Sequence, residues 1–296
     1  MTRGVRCRSL ADAAVREGVA TVVTPVLDAL DSPDSVAVVP DVHYPYHPST
    51  GMTTNPAVVE GVFEAVAARY PETERVLAVR SGPGIDTERT VRYLDYDDVA
   101  EAAGARLAVL DDANTESVEA DAGRQAVPAP LRDAAVVLVP TARADGDLGV
   151  FGGLALAARA IDVDPSTAES VEGAREAVDP AGAVVDATYT FTARPARTRV
   201  LLGDADVRLA DRALARLLRV DPDRVPGLAT HEGTGSWSET RADLSVSGLD
   251  LESVAGTLPA GTPPDSTDPH PLMRAGYRAY TRVSGDIYPP QLEGDR

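Results

Sequence analysis

Val36-Ala37-Val38-Val39-Pro40-Asp41, followed after a polar stretch by Thr54-Asn55-Pro56-Ala57-Val58-Val59, is the reading that decides the fold of this chain. The run from Val36 to Val39 is apolar at every position and too short for a helix, so it is expected to be a strand buried on both faces. The loop from Asp41 to Thr54 is rich in His, Tyr and Pro. Asn55 and Pro56 then stand as N-cap and first residue of a helix whose inward face carries Val59, Val62, Phe63 and Val66. Strand, loop and helix in that order make one unit of a parallel sheet.

The unit recurs on both sides. Upstream, Val15, Val19, Val22, Val26 and Leu30 have helical spacing, with Ser9 as the expected cap and Pro25 as a kink or restart. Downstream, strands are expected at Val76–Val79, Leu107–Leu110, Val136–Val139, Ala183–Thr192, Val200–Leu202 and Leu244–Val246. Helices are expected at 97–103, ending at Gly104, at 154–161, from Asp164-Pro165 to about Ala177, and at 206–218. The fold class is therefore α/β: a mainly parallel, doubly wound sheet with helices on both faces. Residues 1–256 are expected to form one domain, with two lobes, 1–150 and 151–256, as the alternative. Residues 257–296 carry seven prolines and read as an irregular tail.

Composition bounds function. Asp and Glu number 46 against 28 basic residues, all of them arginine, for a net charge of -18. An acidic surface with Arg as the sole cation fits a cytoplasm of molar salt, where the Debye length shrinks to roughly 3 Å and self-repulsion is muted. We therefore expect a halophilic, cytoplasmic protein. The charge argues against nucleic acid and anionic membrane surfaces as partners. Apolar runs are too short for a membrane span. The single cysteine, Cys7, excludes an internal disulfide and an iron–sulfur cluster held by this chain's own cysteines.

With the loops placed, three stretches resemble domain-of-unknown-function family 362, from about Val36 to about Gly248. They are Val38–Asp41 with Thr53–Val59, Val136–Pro140, and Leu201-Leu202-Gly203 with Asp206–Asp211. The resemblance implies an α/β fold and redox or metal-related work, since that family is often linked to ferredoxin-type modules. The family pattern has lysine where this chain has Val39, asparagine at Asp41, and a Lys-x-His run where Arg143-Ala144-Asp145 stands. Arg143 is the candidate replacement for a lysine contact to an anion.

Ligands in such sheets bind beyond the carboxyl ends of the strands, which singles out three loops. The first holds Asp41, His43 and His47, residue types that suit a divalent metal, or a general base with an acid partner. Thr54 and Asn55, opening the next helix, are candidate ligand-binding residues. The second is Ser81-Gly82-Pro83-Gly84, where Gly82 and Gly84 are candidates for an anion nest. The third is the His231-Glu232-Gly233 turn, with His231 and Glu232 as candidate catalytic partners of His43. The Gly149–Gly153 segment offers a further helix N-terminus for an anion. Asp206 reads as a cap, and Asp211 as structural rather than functional. Together these point to an enzyme or metal-dependent binder of a small anionic ligand. The alternatives are a small-molecule binding module without turnover and a non-catalytic regulatory or assembly subunit that has lost the family's lysine-based site. Any oligomeric or redox partner stays open.

Overall fold

The computed structural model describes residues 1–82, 85–228 and 244–259. Twelve strands among the described residues fall in two sheets. β1 (Thr2–Arg6), β2 (Ser35–Pro40), β3 (Glu74–Val79), β4 (Arg106–Val109), β7 (Ala135–Val139), β8 (Thr141–Asp145), β9 (Gly149–Phe151), β10 (Gly182–Phe191), β11 (Pro195–Asp204) and β12 (Val246–Ser247) form one sheet. Its main path runs β12-β1-β11-β10-β7-β2-β3-β4. From β10 to β4 every neighbour is parallel. Beyond β10 the sheet turns antiparallel through β11 and β1. β5 (Thr115–Ala120) and β6 (Gly123–Pro128) form a separate hairpin.

The central strands are apolar throughout because both faces are covered. Ala37 and Val39 of β2 belong to one core, with Val136 and Leu138 of β7; Val36 and Val38 belong to the other, with Val137 and Val139. The first core lies under α7 (Gly153–Ala160), α8 (Ala168–Val178) and α9 (Val207–Leu218). The second lies under α1 (Asp12–Val22), α2 (Thr24–Asp28), α3 (Pro56–Arg69) and α5 (Tyr96–Ala103). Each such valine contributes roughly 1.5–3 kcal/mol of transfer free energy. No helix among the described residues is long and apolar enough to cross a membrane.

Some boundaries differ from the sequence reading. Residues 2–6 form strand β1, buried only at Thr2 and Gly4 on one face, which gives too weak a pattern to read. Pro25 restarts the first helix as α2. Ser9 is not the cap of α1; that position is Ala11, whose N–H donates to the Ser9 hydroxyl. α8 begins after Thr167, which caps it, while Asp164-Pro165 forms a turn closed by Asp164. α4 (Thr87–Tyr93) and the polar β5–β6 hairpin carry no clear apolar period. The short α6 (Ala129–Arg132) leads into β7, and α10 (Leu251–Ala255) packs on α9 through the Arg216–Glu252 pair. Leu258 is buried in the core and Pro259 accepts a hydrogen bond from Thr192, so residues 257–259 pack with the domain.

The chain steps from β2 outward through β3 to β4, then returns to lay β7 on the other side of β2. The strand order thus reverses between β2 and β7, and their carboxyl ends flank the crevice where open α/β sheets take ligands.

Candidate functional site

At that reversal the backbone is held shut. The Asp41 N–H reaches the Val139 carbonyl, and the Thr54 hydroxyl donates to the same carbonyl at 2.7 Å while accepting from the Asp41 N–H. Tyr96, fully buried, donates its hydroxyl to the Thr54 carbonyl. Thr54 is therefore a staple between two strands rather than a ligand contact. Asn55 is likewise structural: its side chain caps α3 through the Ala57 N–H, and its own N–H donates to Asp186 at 2.6 Å.

Above this staple sits a buried charged cluster. Asp41 is fully buried, and one carboxylate oxygen accepts from the His43 N–H. The other, Oδ2, lies 3.4 Å from the Arg143 guanidinium without a hydrogen bond. Arg143 is itself only 3% exposed. β8 and β9 pair antiparallel with Arg143 opposite Phe151, which sets the guanidinium 3.9 Å from that ring's centre. The centre of the Tyr44 ring lies 5.7 Å from the guanidinium. His43 packs edge-on to Tyr44 and stacks on Phe151. Arg159, half-buried in the last turn of α7, adds a second positive charge felt by Asp41 and His43.

The electrostatics follow from burial. Desolvation pushes the Asp41 carboxyl up, with Arg143 and the His43 N–H pulling the other way. Desolvation, then Arg143 and Arg159, pushes His43 down to about 2, so its imidazole is neutral across the physiological range. The Nε atoms of Arg143 and Arg159 are buried and have no hydrogen-bond partner among the described residues.

The structure places the other candidates elsewhere. His47 lies at an exposed 3-10 turn, where its Nδ1 accepts from the Ser49 N–H, so the triplet Asp41, His43 and His47 does not converge. Among the described residues no three His, Cys, Asp or Glu side chains group so as to hold a metal ion. The N–H groups of the second loop are already engaged: Ser81 donates to Thr87 and Gly82 to the His43 carbonyl. Gly82 is required by close approach, since a Cβ there would stand 2.7 Å from the His43 ring. The anion at the Gly149–Gly153 helix start is the protein's own Asp211, whose two oxygens accept from the Gly153 and Leu154 N–H groups at 2.7 and 2.9 Å. Asp206 caps α9 as expected. Asp145 closes the β8–β9 turn. Val39 points into the apolar core beneath α7. Gly84, His231 and Glu232 lie outside the described residues. Phe151 and Arg159 escaped the sequence reading; their one signal is an aromatic and a cation flanking an otherwise Gly- and Ala-rich segment.

The family model described as domain of unknown function, DUF362, matches residues 36–154. Residues 36–154 are thus similar to DUF362. Those residues run from β2 to the first turn of α7 and contain Asp41, His43, Gly82, Arg143 and Phe151. The DUF362 segment thus spans the strand reversal, while Arg159 and the Asp206–Asp211 stretch lie beyond it. Comparison with curated proteins gives no match.

Proposed function

We propose that this protein binds a small anion at the carboxyl ends of β2, β3 and β7, with Arg143 and Arg159 as its cationic contacts. One observation carries the reading: in a chain of net charge -18, Arg143 at the strand reversal and Arg159 in the last turn of α7 keep buried Nε donors without an acceptor among the described residues. Buried donors are nearly always satisfied, and an unsatisfied one costs about 1–3 kcal/mol, so an acceptor from outside the chain fits the site. Arginine's planar fork suits a carboxylate or phosphate. The Phe151 and Tyr44 rings hold Arg143 in place, which lowers the cost of ordering it on binding.

Binding is favoured over turnover. A general base works best with a pKa near the operating pH, and His43 at about 2 lies far below it. The role left to His43 is that of a neutral hydrogen-bonding wall. Isothermal titration with inorganic phosphate, sulfate and pyrophosphate at one fixed KCl concentration tests the proposal. At least one anion should bind to the wild type and lose about tenfold in affinity in Arg159→Gln, the loss expected for one charge-assisted contact. Absence of binding by all three anions overturns it.

A further inference from the structure

The cluster presents more than donors. Among the described residues Asp41 Oδ2 is a buried acceptor with no hydrogen-bond partner; it stands 3.4 Å from Arg143 and feels the charge of Arg159, the two arginines whose buried Nε donors also lack a described acceptor. A ligand that only accepts hydrogen bonds, such as sulfate, satisfies the arginines but turns its own negative oxygens toward the Asp41 carboxylate. A ligand that also carries a hydroxyl satisfies both. Resting on the anion-binding reading above, we infer that the site selects an oxyanion that retains a proton, of which hydrogenphosphate is the simplest, and that Asp41 is the residue that reads that proton.

The chemistry is one of matching. The phosphate hydroxyl donates to Asp41 Oδ2 while the remaining oxygens accept from Arg143 and Arg159. Desolvation makes the mismatch severe, because a buried carboxylate facing an anion has no water to screen it. The His43 N–H on Asp41 Oδ1 fixes the carboxylate's orientation, leaving Oδ2 as the free edge. Asp41 is thus a specificity-determining residue, and the arginines provide the affinity.

Three dianions of equal charge separate the possibilities at about pH 8, above the second ionisation of a phosphate ester near roughly 6. Hydrogenphosphate keeps one hydroxyl; sulfate and methyl phosphate keep none. Titrated into the full chain at one KCl concentration, hydrogenphosphate should bind at least about tenfold more tightly than either, the discrimination of one charge-assisted hydrogen bond. Asp41→Asn should bring the three affinities to within about threefold of one another, since a carboxamide neither repels the proton-free anions nor demands a donor. Arg159→Gln, made on the half-buried arginine, should weaken all three together and keep the ratio. That variant preserves the test if Asp41→Asn fails to fold, as judged by its melting transition. Equal binding of the three dianions by the wild type overturns the inference and leaves the anion site standing. Methyl phosphate binding as tightly as hydrogenphosphate overturns it as well, in favour of a phosphate monoester. Binding of none of them removes the anion site itself.

Discussion

Arg143 and Phe151 are cross-strand partners in the β8–β9 pair, and the guanidinium carbon of the first stands 3.9 Å from the ring centre of the second. The contact is a consequence of register: two residues opposite each other on antiparallel strands have side chains on one face. It converts a flexible side chain into an oriented cation beside Asp41.

Phe151→Leu should therefore cost more than a volume change. A desolvated cation–π contact is worth up to about 2 kcal/mol and a well-tolerated apolar swap costs under about 1.5 kcal/mol. Chemical denaturation should show a loss of about 1–3 kcal/mol, with weaker phosphate binding. Unchanged stability and binding would show that the ring does not position Arg143.

His43 should stay neutral where a free histidine titrates. Its pKa is pushed down to about 2, so the folded state binds fewer protons than the unfolded chain below about pH 6.5. The stability that this group contributes is full above about pH 6.5 and falls as pH drops. Imidazole nitrogen shifts measured by NMR should show no imidazolium for His43 at pH 5. A His43 titration midpoint near 6.5 contradicts the buried neutral ring.

Asp211 should act in the opposite direction. Burial pushes its carboxyl up to about 7, and its backbone hydrogen bonds only partly offset this. Between its ordinary value near 3.8 and about 7 the folded state binds more protons than the unfolded one, so its contribution falls as pH rises. Asp186, pushed up to about 6 by its burial, adds the same sign. Asp211→Asn lacks this slope, so its deficit against wild type should be larger at pH 5 than at pH 8 by thermal melting. A deficit that grows with pH refutes the assignment.

Salt should raise stability broadly. With a net charge of -18 and no lysine, the folded surface repels itself at low ionic strength. Melting temperatures in 0.1 M and roughly 3 M KCl should differ widely, because the Debye length falls from about 10 Å to under about 3 Å. Equal values would remove the case for adaptation to high salt.

Much of this architecture was legible along the chain. The all-apolar runs at β2, β3 and β7, the Asn55-Pro56 helix start and the Gly104 stop are local signals, and each lies where the sequence reading put it. Asp41, His43 and Arg143 were legible as candidates because polar residues after buried strands stand out. Of the strands that escaped, β1, β5, β6 and β8 are polar or incompletely buried and β9 is only three residues long, so none carries an apolar period long enough to read.

What the sequence by itself determined was the layered α/β class and the loops at the strand ends, since period and capping depend on residues a few positions apart. Only the tertiary structure decided which polar groups were already taken. Asp211 fills the α7 N-terminus from 58 residues away, Asp186 holds the Asn55 N–H from 131 away, and Thr54 clasps β7 from 85 away. A carboxylate that caps a helix and one that is buried beside an arginine look alike in sequence. They differ only in which donors the folded backbone brings to them, and that left Asp41 Oδ2 and the Nε atoms of Arg143 and Arg159 buried without a hydrogen-bond partner among the described residues.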